Sequence, residues 1–304
     1  MENQPAPQKP AYKRYLNLLL KIGLTSLALF LVFRKVDLQQ VGTILRTADY
    51  LWLVPALFLF LLSKYFNALR LQEFFRYVGL HLDTTYNLKL YLVGMFYNLF
   101  LPGGIGGDGY KVLLLRKAKG VKTRDLITAS LLDRISGVVA LGVLMFFSVY
   151  FSNIYEYLEA WRWLIWAGIL LAYPLYYILL RYFFKSFLPI FNSSNIYSIL
   201  VQTIQLGSVI MILLALHVDT LFAEYSALFM LSTFAAMLPL TIGGIGAREA
   251  VFVYLPPLIG SSISEDTSVT LSLLFFLITV VSSLGGAFIK AEQPQFDKTE
   301  AEIS

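Results

Sequence analysis

The stretch Leu101-Pro-Gly-Gly-Ile-Gly-Gly-Asp-Gly-Tyr-Lys111 constrains this chain more than any other. It follows an uncharged apolar run that starts at Leu90. Glycine costs about 1 kcal/mol per position inside a helix and proline about 3 kcal/mol. Pro102, Gly103, Gly104, Gly106 and Gly107 therefore predict a helix break inside membrane-like sequence. Backbone groups freed by such a break cannot face lipid, so it must sit in protein or line a polar cavity. A second copy, Gly243-Gly-Ile-Gly-Ala-Arg-Glu249, lies 140 residues further on and aligns Gly243, Gly244 and Gly246 with the first.

The surrounding composition fits a membrane. Hydrophobic residues make up 58% of the chain and charged residues only 14%, against about 25% charged in soluble domains. The long, repeated apolar runs predict an all-α polytopic membrane protein. A β-barrel would alternate in short segments instead. There is no cysteine, hence no disulfide framework, thiol nucleophile or thiolate metal site. His81 and His217 are far apart, which argues against a zinc site, and no metal or cofactor is expected. The net charge of +5 reads as loop charge facing anionic headgroups under the positive-inside bias, not as a nucleic-acid footprint.

Residues 1–12 read as a disordered tail, 13–290 as a single transmembrane domain and 291–304 as a polar tail. Full spans are expected at about 16–33, 51–69, 127–151, 163–180, 198–217 and 268–289. Arg34-Lys35 stand where a signal sequence would need small residues, so the first span is read as uncleaved. Leu88–Leu101 is about 14 residues, roughly 21 Å of helix, and short of an approximately 30 Å core. With the glycine break after it, this segment reads as a re-entrant hairpin, and Tyr225–Leu258 reads likewise around the second break. Six spans and two hairpins put every strongly basic loop, including 111–124, on the cytoplasmic side with both termini. The loops at 152–161, 218–226 and 256–267 lack Lys and Arg and face outward. The two hairpins then enter from opposite faces, the pattern of an inverted repeat with its site at the midplane.

Gly104-Ile-Gly-Gly-Asp-Gly109 spells a dinucleotide fingerprint, but a membrane helix precedes it where a strand is required. Charged residues in spans cost about 2.5–3.5 kcal/mol each on insertion scales and usually face the bundle interior. Asp133-Arg134, in the first two turns of their expected helix, fit either interfacial snorkelling, a structural ion pair or a functional site. Lys64 and Arg70 read as snorkelling residues first, although Arg70 also stands among the candidate ligands. Asn98 is placed to satisfy carbonyls freed by the first break. Asp108 and Glu249 each suit a helix N-terminus. Arg248 does not, and requires either Glu249 or an arriving anion. Trp161, Trp163 and Trp166 mark an interfacial belt.

Three segments together resemble the lysylphosphatidylglycerol synthase transmembrane-region family: Asn98–Asp108, Leu132-Asp-Arg-Ile135, and Pro239 with Gly243–Ala250. The resemblance covers roughly 14–290, and it implies a flippase-like domain that moves or handles lipid-linked molecules. Two positions depart from many members: Lys111 replaces an Arg, and Asp133 replaces a Glu. Both keep the charge, so the resemblance implies the class and leaves the substrate open. The leading expectation is a lipid transporter in the cell membrane. Arg248, Lys111 and helix N-termini would hold an anionic headgroup, while Asp108, Asp133 and Glu249 balance the charge and Asn98, Arg70 and Arg134 complete the candidate set. The runner-up is a membrane-embedded transferase, and a third reading is a non-catalytic partner of one. Expected partners are membrane lipids, a separately encoded lipid-modifying transferase and a second copy in a homo-oligomer, with no nucleic acid.

Overall fold

The computed structural model describes residues 38–100, 106–116, 121–237, 246–258 and 263–289. The first expected span, 16–33, lies outside these residues, as do Pro102, Gly103, Gly104, Gly243 and Gly244. Among the described residues the regular structure is helical, with no strand.

The helices in chain order are α1 (Leu38–Thr47), α2 (Leu53–Tyr77), α3 (Thr84–Phe100), α4 (Gly106–Leu115), α5 (Thr123–Tyr150) and the single turn α6 (Ile154–Tyr157). They continue with α7 (Arg162–Phe183), α8 (Phe191–Ala215), α9 (Phe222–Met237), α10 (Ala247–Leu258) and α11 (Glu265–Leu284). Five helical stretches are long and apolar enough to cross a membrane: 50–77, 123–150, 159–183, 185–215 and 265–288. They match the five expected spans that fall within the described residues. The chain is thus a multi-pass membrane protein.

Three helices start at least a turn earlier than hydropathy predicts: α3, α5 and α8, the last at Phe191. α3 begins at Thr84 because Asp83 caps it, accepting from the Tyr86 N–H at 3.1 Å. This satisfies one of the donors every helix start leaves over. α5 begins at Thr123, with Asp125 in its first turn, where the helix dipole favours an acid. Asp133 consequently sits in the third turn, well away from the helix end.

α2 and α8 form the axis of the bundle. Ser208 Oγ donates to the Ala56 carbonyl at 2.8 Å, Gly207 faces Leu59, and Ser193 Oγ donates to Glu73 at 3.4 Å. The two sequences run in opposite order, so the helices are antiparallel. Small residues at their contact let the backbones approach, which is how packing drives association where lipid removes the hydrophobic incentive. α3 and α4 also pair antiparallel: the Tyr97 and Tyr110 rings stack at 4.3 Å, and Asn98 meets Gly107 at 2.8 Å. A Cβ on Gly107 would collide with the Gly94 carbonyl, and one on Gly286 with the Leu92 carbonyl. Glycine is thus required on both flanks of α3 for its close approach to α4 and to the 3₁₀ turn Gly285–Phe288.

Among the described residues two large apolar clusters fill most of the interior, with a small third at Val41, Val253 and Val269. One gathers Phe60, Val209, Phe229, Phe252 and Phe275. The other gathers Phe74, Phe75, Leu115, Leu126 and Leu180. Ser63 and Arg70 on α2 and Ser194, Ser198, Gln202 and Gln205 on α8 are buried between them. A polar layer therefore crosses the middle of the bundle, while Phe58, Leu170, Leu175, Ile196 and Leu277 project outward. Apolar outside and polar inside is the arrangement a bilayer solvent demands.

Candidate functional site

α2 places Lys64, Asn67 and Arg70 at three-residue spacing, which keeps them on neighbouring parts of one helix face. Arg70 is 4% exposed and Asp133 is 8%. Arg70 Nε donates to Asp133 Oδ1 at 2.7 Å and Nη2 to Oδ2 at 3.2 Å, a two-pronged pair that fixes both planes. Nη1 donates to Ser198 Oγ on α8 at 3.0 Å, and Ser198 donates onward to the Ser194 carbonyl at 2.8 Å. A Cβ at Gly137 would lie 3.0 Å from Arg70 Nη1, so the glycine makes room for the guanidinium. The snorkelling expectation for Arg70 is corrected. Its partner lies inside the bundle, and the bidentate fit outweighs a route to the interface.

The first break delivers a second charged group. Asp108, in the first turn of α4, accepts from Lys111 Nζ at 3.0 Å through Oδ1 and from Arg134 Nε through Oδ2. Lys111 is 4% exposed, and its ammonium lies 4.6 Å from the Tyr91 ring centroid, a cation–π distance. Asn98 Oδ1 accepts from the Gly107 N–H at 2.8 Å. This differs from the expectation that Asn98 serves freed carbonyls. The orphans nearest to it are the N–H donors that open α4, and an amide oxygen suits those. Gly106 and Gly107 form the start of α4.

The second break differs. Gly246 adopts φ +84°, left-handed backbone that favours glycine. Glu249 Oε2 accepts from the Gly246 N–H at 2.7 Å, and Oε1 accepts from Ser272 Oγ on α11 at 2.7 Å. Glu249 thus caps α10 and ties it to α11. Arg248 makes no hydrogen bond or ion pair with Glu249 or any other described residue, and its buried Nε has no partner. Its guanidinium lies 5.2 Å from the Phe275 ring and 6.0 Å from Phe229. Lys64 Nζ lies 4.4 Å from the Phe60 ring, again with no carboxylate in contact.

These groups line two adjoining cavity lobes of about 220 Å³ and about 300 Å³. The first is lined by Arg70, Lys111, Asp108 and Asp133. The second is lined by Arg248, Leu99 and Phe276. Lys64, Tyr91, Asn98 and Arg134 face both. Five cations thus line the joint cavity (Lys64, Arg70, Lys111, Arg134 and Arg248) against two lining carboxylates. Glu249 stands behind, facing Ser272. Of the sequence candidates, Arg248, Asp108, Lys111, Asn98, Asp133, Arg134 and Arg70 all reach this cavity. Lys64 is the addition, with Gln202, Gln205 and Thr233. The repeated spacing Lys64, Asn67, Arg70 was a legible signal that these side chains share a face. Among the described residues no group of three His, Asp or Glu side chains is placed to hold a metal ion.

A family model described as the lysylphosphatidylglycerol synthase TM region matches residues 18–286. A search of curated proteins returns no significant match.

Proposed function

Because this chain belongs to the lysylphosphatidylglycerol synthase TM region family, we propose that its lipid handling is movement of an anionic lipid between leaflets. The observation that carries this reading is the cation excess lining a cavity in the middle of a membrane bundle. Charges held there cost several kcal/mol in total, and such groups mark substrate paths. The headgroup enters the cavity, its phosphate meets Arg248 and the Lys111–Asp108–Arg134 group, and the acyl chains stay in lipid. Arg70 and Asp133 neutralise each other and hold α2 against α5.

In this reading α3–α4 and α9–α10 are re-entrant hairpins related as an inverted repeat. The antiparallel pairing of α3 with α4 and the packing of α10 along α9 support it. Both termini face the cytoplasm and the membrane is the cell membrane, in keeping with the basic loop at 111–124.

The test is leaflet exchange in reconstituted vesicles. Fluorescent phosphatidylglycerol placed in both leaflets is bleached from outside. The wild type should expose the inner pool faster than protein-free vesicles do, and Arg248→Gln should slow it. Exchange no faster than in protein-free vesicles removes the transport reading.

A further inference from the structure

The cations of the cavity are not equivalent. Arg70 is matched by Asp133, and Asp108 answers Lys111 and Arg134. Among the described residues Lys64 and Arg248 have no carboxylate in contact. They come from helices far apart in sequence, α2 and α10, yet both line the larger lobe. An aromatic floor lies under both. Phe60, beneath Lys64, meets Phe275 edge-on at 5.5 Å; Phe275 lies beneath Arg248 and meets Phe229 at 4.7 Å. These three rings are 1%, 4% and 0% exposed and belong to one apolar cluster.

This floor suits two basic side chains that line one lobe without a carboxylate partner among the described residues. Ring faces attract a cation without taking its hydrogen-bond donors. A carboxylate would neutralise the charge and also occupy the N–H groups. Here neither the ammonium nor the guanidinium is spent on a carboxylate of the described residues, and both residues line the lobe. With Glu249 included, five basic side chains of the described site stand against three carboxylates, and the two basic groups without a carboxylate in contact, Lys64 and Arg248, share one lobe.

We infer that Lys64 and Arg248 form a two-cation clamp for a phosphate group carrying two negative charges, a phosphomonoester or pyrophosphate rather than a singly charged phosphodiester. This rests on the proposed role of the cavity as a headgroup site and names the headgroup it fits. Arg248 supplies the planar fork that matches two phosphate oxygens, and Lys64 supplies a point charge from a second helix. A lipid phosphate and a soluble phosphate ester share this chemistry.

The experiment uses the full chain in phosphatidylcholine nanodiscs, above the second phosphate ionisation near about pH 6. Binding of phosphatidic acid and of phosphatidylglycerol is measured side by side. The wild type should prefer phosphatidic acid by about tenfold or more, as expected for one further close charge pair. Lys64→Gln and Arg248→Gln should each bring that ratio close to one. Lys64→Arg, which keeps the charge, should preserve it, and with Arg248→Gln it carries the test should Lys64→Gln fail to fold. Competition by glycerol 3-phosphate would extend the clamp to soluble esters; failure to compete would assign it to the lipid form. Equal binding of the two lipids by the wild type, or an unchanged ratio in both Gln variants, overturns the clamp. If leaflet exchange of phosphatidylglycerol persists in that case, the transport reading stands. If phosphatidic acid is preferred and no lipid exchanges, the clamp stands without it.

Discussion

Removing one member of the Arg70–Asp133 pair should be among the most damaging single changes to this fold. The two side chains are 5% and 11% exposed and joined by contacts of 2.7 and 3.2 Å. Breaking a buried pair by removing one partner costs about 3–5 kcal/mol, because the remaining charge has neither water nor a counter-ion. Asp133→Leu leaves Arg70 only its Ser198 contact at 3.0 Å, and hydrogen bonds to a charged group contribute about 1.5–3 kcal/mol. The expected loss is therefore toward the lower end, about 3 kcal/mol. Arg70→Leu should cost a similar amount. The double variant Arg70→Leu/Asp133→Leu removes both charges together and should be more stable than either single variant, since replacing a whole buried pair by apolar residues is often close to neutral. Unfolding of the purified chain by titration with a denaturing detergent, run as a double-mutant cycle, measures this. Additive losses in the double variant would refute the pair as a unit. Lipid binding offers a second check: a neutral pair that only joins helices leaves anion affinity in a folded double variant nearly unchanged, and its collapse would place the pair in contact with the ligand.

Three other outcomes are expected. Gly107→Ala should destabilise the chain, because the new methyl meets the Gly94 carbonyl and the α3–α4 contact must open. Gly109→Ala, two positions on and in open space, should be neutral or gain up to about 1 kcal/mol of helix propensity. The same detergent titration compares them, and equal effects would disprove the close-approach argument. Asn98→Leu should cost about 1 kcal/mol through loss of the cap on the Gly107 N–H, while Asn98→Asp should retain most of it. In the cysteine-free background, Asp83→Cys and Lys122→Cys should react with an impermeant label from one side of the membrane and Tyr157→Cys from the other. Labelling of Asp83→Cys and Lys122→Cys from opposite sides would show that α3–α4 spans fully.

Residue types and their spacing dictate the solvent, the helices and the kinds of side chain at the site. Long apolar runs permit little besides helices in a bilayer, since each backbone group must be satisfied within its own segment. That logic locates the five described spans, with both ends within about a turn for three of them, whereas α2 runs on to Tyr77 and the 185–215 stretch starts well before residue 198. Of the glycines expected to break helices, Gly107 instead lies in the first turn of α4 and Gly246 takes φ +84°. The same logic marks Arg248 as a cation in an unfavourable place, and among the described residues it has no ion partner. Which side chains face one another is set by how the helices pack. Arg70 meets Asp133 from 63 residues away, and Lys64 shares a lobe with Arg248 through an aromatic floor assembled from three helices. Helices apolar on nearly every face carry no stripe to set their rotation, so the register of their polar residues follows from small-residue packing between helices. Helix starts were misjudged at α3 and α5 for a related reason. Hydropathy counts apolar side chains, whereas a helix extends for as long as its backbone donors find acceptors, and at Asp83 a side chain supplies one.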